Sequence, residues 1–163
     1  MIMKTLILVA AFVATIAAPS AFAQDKQKQA LLSSYYEIKN ALVNSDAATA
    51  SAKAGELLKE IRTADTKAFS AEEATEFKAS QEKLSTDASH IAESKDLGKQ
   101  REYFAALSAG FFKLAKTVKL SSAPVYYQFC PMKKSYWLSE TKEIKNPYYG
   151  KQMLTCGKIS ETI

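Results

Sequence analysis

Arg101-Glu102-Tyr103-Phe104-Ala105-Ala106-Leu107-Ser108-Ala109-Gly110-Phe111-Phe112-Lys113-Leu114-Ala115-Lys116-Thr117-Val118 decides the fold. Phe104, Leu107, Phe111, Leu114 and Val118 recur every three or four residues, the period that gathers apolar side chains into one stripe of an α-helix. Tyr103 and Phe112 widen that stripe, and Ser121-Ser122-Ala123-Pro124 stops it, because proline lacks the N–H that a further turn needs. Three more helices are read upstream. Leu31, Tyr35, Ile38 and Leu42 mark the inner stripe of a first helix over 24–44. Ala47, Ala50, Ala54, Leu57, Leu58 and Ile61 mark a second, over 47–63, whose small residues allow close approach to a neighbour. Phe77, Gln81, Leu84, Ala88 and Ile91 mark a third. Asn44-Ser45-Asp46 ends the first helix and offers an N-cap to the second, and Asp96 is the expected cap of the fourth. Ser70-Ala71-Glu72-Glu73 reads as a capping box opening the third. Four amphipathic helices on short connections predict a mainly α fold, an antiparallel up-and-down four-helix bundle over about 24–120.

Residues 1–23 have the layout of a secretory signal peptide. Lys4 supplies the positive start, Leu6 to Ala14 the apolar core, and Ala21-Phe22-Ala23 a small-residue cleavage site before Gln24. The mature chain, 24–163, is then one domain, expected in the periplasm or outside the cell, with no transmembrane segment after cleavage. The formal charge of +5 includes Lys4, so cleavage leaves +4. That excess is spread along the chain and forms no basic block interleaved with aromatics. A solvated surface is the reading, and nucleic acid is not an expected partner.

After Pro124 the texture changes. Val125-Tyr126-Tyr127-Gln128-Phe129 is β-branched and aromatic and predicts a short strand, with Trp137-Leu138 and Met153-Leu154 as further extended pieces. Asn146-Pro147 and Tyr149-Gly150 signal turns. The expectation for 121–163 is a small irregular C-terminal cap containing short strands, packed on the bundle within the same domain.

The cap carries a patterned set of residues: Cys130-Pro131-Met132, Trp137-Leu138-Ser139, Asn146-Pro147-Tyr148-Tyr149-Gly150, and Met153-Leu154-x-Cys156-Gly157. Together with Arg101-x-x-Phe104-x-x-Leu107-Ser108, this set resembles an uncharacterised family of exported bacterial domains of unknown function, typical of Bacteroidota. Members often occur near, or fused to, adaptor subunits of heavy-metal efflux pumps. The resemblance spans roughly 31–157. It implies a periplasmic helical domain tied to copper or other heavy metals, with a heavy-metal efflux adaptor or another envelope protein as partner.

Both cysteines lie in the cap, and their chemistry reads two ways. Thiolates and thioethers select Cu(I), which needs only two or three donors. Cys130 and Cys156 are then the thiolate anchors, Met132 and Met153 thioether ligands, and His90 an optional imidazole from the third helix. A closed zinc site would need four nitrogen, sulfur or oxygen ligands, and the sequence holds a single histidine. Alternatively, two cysteines in an exported chain form a Cys130–Cys156 disulfide, contributing about 3 kcal/mol by closing a loop of this length. His90 also reads as an ordinary helix histidine, and Met153 as core filling. No C-x-x-C pair, nucleophile–base pair with an orienting third group, or oxyanion hole is present, so the chain is read as a non-enzyme. The leading expectation is a Cu(I)-binding accessory for sequestration or delivery to efflux. The alternative is a disulfide-stapled interaction domain that docks on envelope partners without metal.

Overall fold

The computed structural model describes residues 20–163, with side chains described from residue 26 onward except at 68. The expected signal peptide, 1–23, falls outside the described residues apart from its last four, which belong to the first helix. That helix, α1 (Ser20–Val43), includes described residues ahead of the expected start at Gln24. α2 (Ala47–Thr63), α3 (Ala71–Glu93) and α4 (Leu97–Val118) follow.

Local chemistry fixes the joints. The Asp46 carboxylate accepts the Thr49 N–H at 2.9 Å and the Asp96 carboxylate that of Lys99 at 2.8 Å, satisfying amides that have no partner inside their helices. At α3 the expected capping box forms in full. Ser70 Oγ accepts the Glu73 N–H at 3.2 Å, and the Glu73 carboxylate accepts the Ser70 N–H at 2.9 Å. The turn before it holds a short 3-10 segment, Thr66–Ala68, capped by Asp65.

Helix packing follows the predicted stripes. Leu31, Tyr35, Ile38 and Leu42 of α1, Leu57 and Ile61 of α2, and Phe77 and Ile91 of α3 are all fully buried. So are Phe104, Leu107, Phe111, Leu114 and Val118 of α4. Each helix packs chiefly on its sequence neighbour, α1 on α2, α2 on α3 and α3 on α4, and α1 also touches α4. The protein is mainly helical, four helices with a small three-stranded antiparallel sheet at the C-terminal end.

The short strands expected in the C-terminal cap form that sheet. β1 (Tyr126–Cys130) pairs with β2 (Ser135–Ser139) through the turn Pro131–Lys134, where Lys134 takes the left-handed conformation at φ 54°. β3 (Lys158–Thr162) pairs with the other edge of β1, giving the order β2-β1-β3. The Val125–Ile163 amide pair, at 2.8 and 2.9 Å, extends this ladder. Met153-Leu154, read as extended, instead follows a 3-10 turn, Gly150–Gln152, and lies in no strand. The sheet docks on α4 by stacking: the Phe112 and Tyr127 rings lie 3.6 Å apart and nearly parallel, and Tyr136 stacks on Tyr127 at 4.6 Å.

Candidate functional site

Tyr35, at the centre of α1, stacks between Phe104 and Phe111, with ring centroids 5.1 and 4.9 Å away. Its hydroxyl accepts the Leu138 N–H of β2 at 3.0 Å and shares a hydrogen bond with Ser108 Oγ, 2.6 Å away. Ser108 in turn bonds the Tyr148 hydroxyl, and Tyr148 donates to the Tyr136 carbonyl. This relay ties α1, α4, β2 and the loop after β2 together inside the protein. Desolvation pushes the Tyr35 and Tyr148 hydroxyls far above their ordinary range, and they stay protonated donors.

The loop between β2 and β3 is built on Asn146, which is fully buried. Its side-chain oxygen accepts the N–H groups of Tyr148 and Tyr149, at 2.8 and 3.3 Å. Its backbone N–H donates to the Leu154 carbonyl and its carbonyl accepts from Gly150. The side-chain NH2 donates to Cys130 Sγ at 3.1 Å and to the Cys156 carbonyl at 2.7 Å. One amide thus holds both cysteine segments. Arg101 locks the same loop from α4. Its Nε donates to the Pro147 carbonyl at 2.9 Å, and one Nη to the Leu42 carbonyl and Ser45 Oγ, both at 3.1 Å. Gly150 sits in this clasp at φ 55°, where a Cβ would stand 2.8 Å from the Val43 carbonyl oxygen.

Two thiols meet at the end of this frame. Cys130 ends β1 and is fully buried, whereas Cys156, on the approach to β3, is half-buried. Both are free thiols, and the Cys130 side chain is within hydrogen-bonding reach of Cys156. Three N–H groups face the sulfurs: Asn146 Nδ2 and the Lys133 amide toward Cys130, the latter at 3.4 Å, and the Met132 amide toward Cys156. Partial desolvation, and then the Cys130 sulfur beside it, push the Cys156 thiol up, against the pull of the Met132 N–H. Gly157 follows because a Cβ there would meet Trp137 Cη2 at 2.8 Å and Ile144 and the Phe129 carbonyl at 3.1 Å. The buried Trp137 ring lines this side of the sheet.

Of the residues singled out by sequence, Cys130 and Cys156 come together. Met132 stands in the adjoining turn and is 62 % exposed, an unusual place for a large apolar side chain. Met153 is half-buried, and its carbonyl accepts the Cys156 N–H at 3.0 Å, so backbone rather than sulfur is its visible tie to the site. His90 is exposed near the end of α3 and stacks on Tyr103 of α4 at 4.5 Å. Among the described residues no three His, Cys, Asp or Glu side chains form a group that could hold a metal, so His90 joins no such cluster with the two thiols. A tetrahedral zinc centre therefore lacks its donors here. Two adjacent sulfurs are a fitting set for a linear, soft, monovalent ion.

The sequence reading takes Asn146 as a turn signal and Arg101 as a helix residue, both within the family pattern, and gives neither a place in the site. The bonds from the Asn146 side-chain NH2 to the two cysteine segments and from Arg101 to Pro147, Leu42 and Ser45 span 10 to 59 residues, beyond any local pattern. Neither a curated protein nor a solved structure matches the chain. Among the described residues no helix is long and apolar enough to cross a membrane. One family model does match, over residues 31–123, covering the helices from within α1 to the approach to β1 and stopping short of both cysteines. Since that match takes in more than half of the chain, the protein belongs to the family described as protein of unknown function DUF3347.

Proposed function

We propose that this protein is an exported, non-enzymatic metal-handling accessory that binds Cu(I) through Cys130 and Cys156, for sequestration or for delivery to an efflux system. In this reading an up-and-down bundle is the platform and the cap is the working part. The observation that supports it is the pair of free thiols held side by side beneath three N–H donors. Such donors offset the negative charge that two thiolates bring together, as second-shell hydrogen bonds do around metal ligands. Bound Cu(I) would further neutralise the repulsion that raises Cys156. In this reading Met132, exposed in the next turn, serves as an auxiliary thioether donor, while Met153 and His90 play no part in the core site.

The test is anaerobic competition of the reduced protein against a chromophoric Cu(I) chelator. One equivalent is expected to pass to the protein and to raise its melting temperature, because a ligand that binds only the folded state stabilises it. Cys156→Ser, at a half-buried position, is expected to abolish uptake with the helical circular dichroism intact. Wild-type copper retention by that variant, or no uptake by the native protein, would sink the proposal.

A second reading, the disulfide-stapled interaction domain, rests on the same juxtaposition, since thiols distant in sequence but adjacent in space are what a cross-link requires. It expects purified protein without free thiols, no copper uptake after reduction, and a lower melting temperature when reduced.

A further inference from the structure

The two thiols differ in access. Cys156 is half-buried while Cys130 is fully buried behind it, and the two are in hydrogen-bonding reach. Lys133 and Lys134 lie in the turn that follows Cys130, and Lys158 lies two residues after Cys156, and all three are exposed. None of the three takes part in the ion pairs of the described residues. A positively charged rim concentrates small anions at its mouth. An entry thiol, a resolving thiol directly behind it and an anion-attracting rim are the parts that stepwise thiol–disulfide exchange requires.

From this we infer that the cysteine pair is a reversible redox gate on the metal site, closed by exchange with a small anionic disulfide. The inference rests on the copper reading for its consequence but not for its chemistry. In the first step the Cys156 thiolate attacks one sulfur of the small disulfide. A Cys156–small-thiol bond forms, the reagent's S–S bond breaks, and one small thiolate leaves. In the second step the Cys130 thiolate attacks Cys156 Sγ, the Cys130–Cys156 bond forms, and the second small thiolate leaves. The protein gives up two protons and two electrons, and the reagent's disulfide becomes two thiols. The closed form has no thiolate left for Cu(I), so oxidation releases the ion and reduction restores the site.

The experiment treats the full reduced chain with glutathione disulfide and follows intact mass, with thiol alkylation and peptide mapping at early times. The wild type is expected to pass through a glutathione adduct on Cys156 and to end as a monomer lighter by two hydrogens. Cys130→Ser is expected to stop at the adduct, and Cys156→Ser to react about tenfold more slowly, its remaining thiol being buried. A stable wild-type adduct, a disulfide between two chains, or first attack at Cys130 would overturn the exchange mechanism. The early-time mapping on wild type decides this even if Cys130→Ser fails to fold. Copper retained at full strength by the oxidised monomer would overturn the gate. Should the reduced protein take up no copper at all, the metal reading and the gate fall, while the mass sequence still judges the exchange.

Discussion

Tyr35 illustrates how a single side chain can be read halfway. Its place in the α1 stripe marks it as core, and its hydroxyl marks it as a group that must find partners once buried. Which partners it finds could not be read, because Ser108 and Leu138 lie 73 and 103 residues further along the chain. Tyr35→Phe keeps the ring stacking but strands the Leu138 N–H and leaves Ser108 with Tyr148 alone in the relay. It should cost about 1–3 kcal/mol in urea unfolding, the range for a buried polar group left without its partner. Asn146→Asp probes a different property. It preserves the acceptor used by the Tyr148 and Tyr149 amides and removes the donor to Cys130 and Cys156. A carboxylate in this buried place favours its neutral form, so its folded pKa lies above its unfolded one. The variant should be closest to wild type at low pH and lose stability as pH rises through the carboxylate range, which paired melts across pH will register.

Among the elements, the helices were legible because their signals are local. Apolar stripes at a 3.6-residue period and caps within three residues of the amides they satisfy need no knowledge of the fold. The sheet was only partly legible. β1 and β2 are rich in aromatic residues, whereas Lys158–Thr162 of β3 is mostly polar and exposed, and it is a strand because β1 offers it an edge. Met153-Leu154 has the composition of a strand, but the chain there is turning through the Asn146 clasp. The clasp also explains Gly150, since L-residues pay roughly 1–2 kcal/mol in the left-handed region, before any clash with the Val43 carbonyl. Gly150→Ala should therefore lower the melting temperature measurably, and more than Gly55→Ala, where a Cβ has open space.

Over the whole molecule, ion pairs join segments distant in sequence: Lys28 with Glu73 at 2.6 Å, Glu76 with Lys113 at 3.0 Å, and Lys39 with Glu140 at 2.5 Å. Desolvation works against ionised Glu73 and Glu140, but the Lys28 and Lys39 partners prevail, and all three carboxyls lie below their ordinary range. Groups of that kind stabilise the folded state above the unfolded carboxylate pKa and lose that contribution as pH falls toward the folded value. Melting temperature should therefore drop on acidification below the ordinary glutamate range, and Glu140→Gln should flatten part of that slope. Burial lowers Lys39 despite Glu140, so in Glu140→Gln its unpaired ammonium should weaken the protein at neutral pH and less so as it deprotonates in alkali.

The Arg101 guanidinium grips the end of α1, the α1–α2 corner and the Pro147 carbonyl with a single planar group. Asn146, the residue before Pro147, grips both cysteine segments. Only rigid, hydrogen-bonded links therefore separate Ser45 from the sulfurs, and Ser45 becomes a remote spectroscopic reporter. Its amide resonance should move when the thiols bind Cu(I) or join, and that response should vanish in Arg101→Met while shifts beside Cys156 persist.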